Sequence, residues 1–195
     1  LPVARLRQWQ ELGSGLFIHF GISTFEGCEH SLGDQSSTTY APTALDVGQW
    51  VGTASEAGMR YAVLTTKHTG GHCLWPTAQS DYHVGTSSDR TDVVARFVEA
   101  CRRQGVAPGL YYCARDNHHR FGSATRELAE DGGPGETSRQ FTTPRYEAFM
   151  LAQLEELAAY GPIAEWWIDI PQCGRNGLHI QFGKQPLELT IRDFD

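Results

Sequence analysis

The sequence predicts an α/β chain of the (β/α)8 TIM-barrel type in which only the first four βα units are present. Short, wholly apolar runs alternate regularly with segments of helical spacing. Buried parallel strands look like those runs, because both faces are covered and no polar alternation is needed. Strands alternating with helices mean parallel pairing through right-handed crossovers. Each apolar run also ends in side chains able to do chemistry: His19, Lys67-His68, Tyr111-Tyr112 and Asp169. Barrel sites are assembled that way, from the C-terminal ends of several strands. A doubly wound sheet fits the same alternation, but its dinucleotide fingerprint G-x-G-x-x-G is absent after the first strand.

The elements follow in order. Leu16-Phe17-Ile18-His19-Phe20, bounded by Gly15 and Gly21, is the first strand, and a glycine-rich polar loop runs on to Thr39. Residues 44–57 place Leu45, Val47, Trp50, Val51 and Ala54 at helical spacing, stopped by Gly58. Tyr61 to Thr65 is the second strand. From Asp92, suited to capping, Val93, Val94, Phe97, Val98 and Cys101 share one helix face up to Gly105. Pro108 to Cys113 is the third strand, and the polar segment Asp116 to Thr142 reads as a solvated loop. Pro144 to Tyr160 is a third helix, stopped by Gly161-Pro162. Ala164-Glu165-Trp166-Trp167-Ile168-Asp169-Ile170 closes the series as the fourth strand. Residues 1–173 thus form the first half of a barrel domain. Residues 174–195 show no helix period and no bounded strand, and read as a weakly structured or truncated tail.

Bulk properties exclude several classes. A net charge of −7 in 195 residues offers no basic stripe for nucleic acid or anionic membranes. No apolar run approaches the ~20 residues that span a bilayer. No leader of charged, apolar and small residues opens the chain, which leaves cytoplasmic and secreted settings both open. Five cysteines at scattered spacings form no CxxC pair. A zinc site on His68, His72 and Cys73 competes for attention. However, i, i+4 ligands share a face only on a helix, and Gly70-Gly71 argues against a helix there. No metal and no cofactor is therefore expected.

What remains at the strand ends is imidazole, phenol, carboxylate and indole. Such groups suit a hydroxylated, partly apolar ligand, since hydroxyls need donors and acceptors while a sugar's C–H face stacks on a ring. A carboxylate among them can attack an anomeric carbon. Trp166 and Trp167 must point oppositely, and Trp167 shares a face with Asp169.

Together these motifs resemble the α-L-fucosidases of glycoside hydrolase family 29. The resemblance is carried by Gly15-Leu16-Phe17-Ile18-His19-Phe20-Gly21, Glu56-Ala57-Gly58-Met59-Arg60-Tyr61, Thr65-Thr66-Lys67-His68, Cys73-Leu74-Trp75-Pro76, Ser80-Asp81-Tyr82, Gly109-Leu110-Tyr111-Tyr112, Tyr160-Gly161-Pro162 and Trp167-Ile168-Asp169. It implies a barrel domain that releases terminal α-L-fucose from glycans or small fucosides with retention. It further implies Asp169 as nucleophile, His19 and His68 as sugar-hydroxyl contacts, one tyrosine of Tyr111-Tyr112, with Tyr112 preferred, as a pocket residue near the nucleophile, and Trp167 as part of the sugar wall. The family's Lys-His-His-Asp-Gly-Phe reads Lys67-His68-Thr69-Gly70-Gly71-His72 here, which makes His72 a candidate for the missing second histidine. Glu29-His30 stands where the family carries a Glu-Trp pair. The family's acid/base comes later in the sequence than the fourth strand. A half barrel also exposes two sheet edges, so a homo-oligomer or an associated second half is expected. The alternative is a carbohydrate-binding half barrel without acid chemistry.

Overall fold

The computed structural model describes residues 3–121 and 144–169. Four strands, β1 (Gly15–Ile18), β2 (Tyr61–Lys67), β3 (Ala107–Cys113) and β4 (Glu165–Asp169), form one all-parallel sheet in chain order. Gly15 pairs with Tyr61, Tyr61 with Ala107, and Gly109 with Glu165. Consecutive neighbours with no change of winding direction are the pattern of adjacent barrel strands rather than of a doubly wound sheet.

The connections explain why one sheet face is the core. Helices α3 (Val47–Glu56), α4 (Val93–Gln104) and α6 (Pro144–Ala158) carry Val51, Val94, Phe97 and Leu154. These join Ala62, Leu64, Leu110, Tyr112, Trp166 and Ile168 in a single buried cluster. The alternate strand residues Val63, Tyr111 and Cys113 form a separate small cluster on the other face. Side chains alternate along a strand, so two apolar sets on two faces follow from fully apolar strands. Each buried Leu or Phe contributes about 1.5–3 kcal/mol to this core. Asp46 and Asp92 cap α3 and α4, accepting from Gln49 N and Ala95 N, both at 2.9 Å.

The strands extend or shorten by a residue or two against expectation, and the expected βα order holds. Three helices were not expected. α1 (Val3–Glu11) sends Trp9 Nε1 to Glu165 Oε2 at 3.0 Å, beside the ring of Tyr61, and so covers the N-terminal ends of β2 and β4. α5 (Asn117–Phe121) begins the segment expected to be a solvated loop. Its Asp116, Asn117 and His119 are buried because Asp116 pairs with Lys67 on β2, Asn117 bonds Ser31 and Thr69, and His119 packs on Phe149 of α6, which composition alone does not reveal. A short helix α2 (Ile22–Glu26) follows β1. The remainder of that loop, residues 122–143, and the tail 174–195 lie outside the described residues. Among the described residues no helix is long and apolar enough to cross a membrane.

Candidate active site at the carboxyl ends of the strands

Asp169 ends β4 on the face opposite the helices, and its Oδ2 accepts a hydrogen bond of 2.5 Å from the Tyr111 hydroxyl. The ladder explains the pairing. Tyr111 lies opposite Trp167 and Cys113 opposite Asp169, so all four point to one side. Burial above all, with Cys113 and the bond to Asp169 adding to it, holds the Tyr111 phenol far above its ordinary range. It therefore stays a donor to the carboxylate. Phe17 comes from β1 and packs edge-on against both Tyr111 and Trp167, with ring centroids 5.6 and 5.1 Å away. Trp167 remains 46% exposed, so it walls the site while still able to meet a ligand.

The histidines approach from the other strand ends. His19 follows β1 and meets His68 edge-on at 4.5 Å. His68 follows β2, lies 6.0 Å from the Tyr111 ring, and stacks on His30 at 5.6 Å. Burial, followed by the neighbouring His19 and His30, lowers His68 to about 4, against an opposing pull from Asp169 and Glu29. His68 is thus a neutral imidazole over most of the pH range, with one donor and one acceptor. Glu29 is exposed, its carboxylate 4.0 Å from His30 Nε2. Loop contacts bring these two residues here. Asn117 Nδ2 donates to Ser31 O at 2.7 Å, and His118 Nδ1 lies 2.7 Å from Gly33 O. Gly33 has φ 72°, and a methyl on it would come within 2.5 Å of His118 N, so only glycine allows this approach.

A small open cleft adjoins the histidines, lined by His19, Ser31, Thr65, His68 and His72. His72 is buried behind it, with Nε2 2.8 Å from Ser87 Oγ and its ring stacked on Tyr40. Its Nδ1 and the Thr65 hydroxyl are buried without a hydrogen-bond partner in the protein. Among the described residues no group of three His, Cys, Asp or Glu side chains is arranged to hold a metal ion.

One assignment changes. Tyr112, expected in the pocket, faces the helices instead, fully buried, accepting from Lys67 Nζ at 3.0 Å and donating to Gln153 Oε1 at 2.7 Å. The reason is parity: Tyr112 pairs with Ile168 in the core, and Tyr111 takes the place beside Asp169. His19, His68, Trp167 and Asp169 gather on one side with Tyr111, and Glu29 sits at their rim. Phe17 was not expected there, although it shares the parity of His19, and that was the signal available for it. His30, set by the resemblance against the tryptophan of the family's Glu-Trp pair, stacks on His68.

The α-L-fucosidase family profile matches residues 33–180. Alpha-L-fucosidase 1 of Arabidopsis thaliana is 35% identical over 173 residues, 87% of this chain and 31% of that protein. A candidate α-L-fucosidase from Bacteroides thetaiotaomicron superposes with a TM-score of 0.74 at 37% identity, covering 87% of this chain and 34% of that one. A glycoside hydrolase 29 family member from an unknown rumen bacterium gives 0.73 at 31%, covering 87% and 28%. The chain spans about a third of the length of these relatives. By the match over most of its residues, and with the strand-end motifs in family order, this chain belongs to the α-L-fucosidase family of glycoside hydrolases.

Proposed function

We propose that residues 1–173 are the nucleophile-bearing half of a (β/α)8 domain that removes terminal α-L-fucose from glycans or small fucosides with retention. Asp169 attacks the anomeric carbon, the glycosidic C–O bond breaks, and the leaving oxygen takes a proton from a carboxylic acid. Water then cleaves the fucosyl–Asp169 ester, with the same acid, now a base, accepting its proton. That acid stands about 5–5.5 Å from the nucleophile in retaining enzymes. By the family resemblance it comes from sequence beyond the fourth strand.

The observation that carries the reading is the Tyr111–Asp169 bond of 2.5 Å at a strand's carboxyl end, beside Trp167. Tyr111 orients the carboxylate, and Trp167 with Phe17 meets the sugar's apolar face. His19 and neutral His68 pair with hydroxyls, since a neutral imidazole both gives and takes a hydrogen bond. His72 is among the residues around the cleft and is proposed as a further hydroxyl contact there, and Glu29 reaches the site at the rim. On this reading the outer edges of β1 and β4 are covered by further barrel strands, supplied by a second copy or an associated half barrel.

Hydrolysis of an aryl α-L-fucoside by the full chain and its Asp169→Gly variant tests the assignment. The variant is expected to lose about three orders of magnitude in kcat or more. Azide, which needs no acid when the leaving group is good, should restore turnover and yield a fucosyl azide. Unchanged activity in Asp169→Gly refutes the nucleophile. Fucose binding by the unaltered chain without any turnover would assign it to carbohydrate binding instead.

A further inference from the structure

Lysine almost never lies fully buried without a purpose. Lys67 does: its ammonium sits 3.0 Å from Asp116 Oδ2 and 3.0 Å from the Tyr112 hydroxyl, both side chains of the ion pair being covered. The Tyr112 ring centroid is 4.3 Å from the same nitrogen. Burial is the largest influence and acts to lower the lysine, but Asp116, Tyr112 and Cys73 together outweigh it and hold the amine charged. Desolvating such a pair costs several kcal/mol per ion, and an apolar pair of the same volume is often as stable or more so. Stability alone does not explain the arrangement.

The backbone beside it does. β2 and β3 run in register up to Thr65 opposite Tyr111 and resume with Lys67 opposite Tyr112, leaving Thr66 as one extra residue. Thr66 is held in that shift by its own hydroxyl, which donates to Tyr111 O at 2.7 Å, and by its carbonyl, which accepts from Leu74 N at 2.9 Å. An uninterrupted ladder would set Thr66 opposite Tyr112 and Lys67 opposite Cys113, whose partner on β4 is Asp169. A one-residue slip reverses the facing of every later side chain. The ammonium would then enter the Asp169 face, and His68 would turn toward the helices.

We infer that Lys67 is a positioning residue: its bonds to Asp116 and Tyr112 lock the one-residue shift at Thr66 and so aim His68 at the Asp169 face. Asp116 completes the lock from the segment before α5, where it also accepts from His119 N at 3.0 Å. The inference deepens the proposed function and rests on it for what His68 does, while the claim about register stands on the ladder alone.

The charged and titratable groups around His68 are His19 after β1, Glu29 and His30 on the following loop, Tyr111 on β3 and Asp169 on β4. Its titration, followed by imidazole NMR in the full chain, therefore reports where the ring points. The unaltered protein should titrate at about 4. In Lys67→Met/Asp116→Asn, which removes both buried charges together, the ring leaves His19, Tyr111 and Asp169 for the helix face, so its NOE contacts with the His19 and Tyr111 rings should disappear and its midpoint should move by about a unit or more from that value. Leu154→Ala, a cavity in the same helix layer, should leave it at about 4, although a general loosening would move both alike. A folded double variant with His68 unmoved overturns the proposal. Should the double variant fail to fold, Tyr112→Phe decides: it removes only the hydroxyl that Lys67 uses. Loss of those ring contacts with a shift of about half a unit or more supports the lock, and an unmoved ring and midpoint refute it. No turnover is measured, so failure here and failure of the Asp169 assignment remain distinguishable.

Discussion

Acidification from pH 7 to pH 5 is expected to cost this fold about 2 kcal/mol through His72 alone. The ring lies stacked on Tyr40 and edge-on to Tyr82, 5.2 and 5.1 Å away, and is 4% exposed. Burial, then the neighbouring His83 and His118, depresses it to about 3. In the unfolded chain the same imidazole titrates near the ordinary 6.5. Between those values the unfolded chain binds a proton that the folded one refuses. The contribution is therefore complete above about pH 6.5 and is lost as the pH falls toward 3. At 1.36 kcal/mol per unit, the roughly 1.5 units between 6.5 and 5 amount to about 2 kcal/mol. His68, at about 4, acts in the same direction, discounted to about 1 kcal/mol because part of it meets solvent. His83 is lowered too and has the same sign. The depressed carboxylates Asp116 and Glu156 withdraw their contribution only below the ordinary carboxylate range, about pH 4, so the window belongs to the histidines. Urea unfolding followed by tryptophan fluorescence at pH 7 and pH 5 measures the effect. The unaltered chain should lose about 2–3 kcal/mol, and His72→Phe should lose about 2 kcal/mol less. Equal losses in both proteins would refute the reasoning.

The two adjacent tyrosines should separate by face. Tyr111→Phe removes a bond to a charged acceptor worth about 1.5–3 kcal/mol, so kcat/KM on an aryl fucoside should fall roughly ten- to a hundredfold with little change in Tm. Tyr112→Phe removes one of the two bonds of Lys67 and the partner of Gln153 Oε1, and should lower unfolding free energy by about 1–3 kcal/mol, read by urea titration. If Tyr112→Phe instead left stability intact, the buried network would be misjudged. Sedimentation equilibrium should give a mass above 21.6 kDa, the mass of one chain, when the β1 and β4 edges are covered by a second copy. A monomer that binds no complementary half would remove that part of the proposal.

Much of the architecture was legible because the apolar runs are one-dimensional signals. Leu16–Ile18, Ala62–Leu64 and Trp166–Ile168 are bounded by glycine, proline or polar residues and read as strands without tertiary knowledge. Asp92 and Gly105 mark the ends of α4 by local capping chemistry, Asp92 accepting from Ala95 N and Gly105 adopting φ 67°. The strand-end location of His19, His68 and Asp169 followed from the same reading. α1 was not legible, since its role depends on Trp9 finding Glu165, 156 positions away. Nor was the start of α5, whose polar residues suit solvent until Lys67 of β2, Phe149 of α6 and the loop at Ser31 bury them.

The sequence by itself determined which residues stand at the ends of four parallel strands, because hydrophobic period and turn chemistry are local properties of the chain. It did not determine which of two neighbours on a strand enters the site. Tyr111 and Tyr112 are chemically the same, and Lys67 and His68 are equally polar. Only pairing across the sheet decided between them. Tyr111 shares the face of Asp169 through the β3–β4 register, and the extra residue at Thr66 sends Lys67 to Asp116 and leaves His68 beside His19. A strand's side chains alternate with a period of two, so a shift of one residue exchanges core for site, and that shift is set by partners distant in sequence.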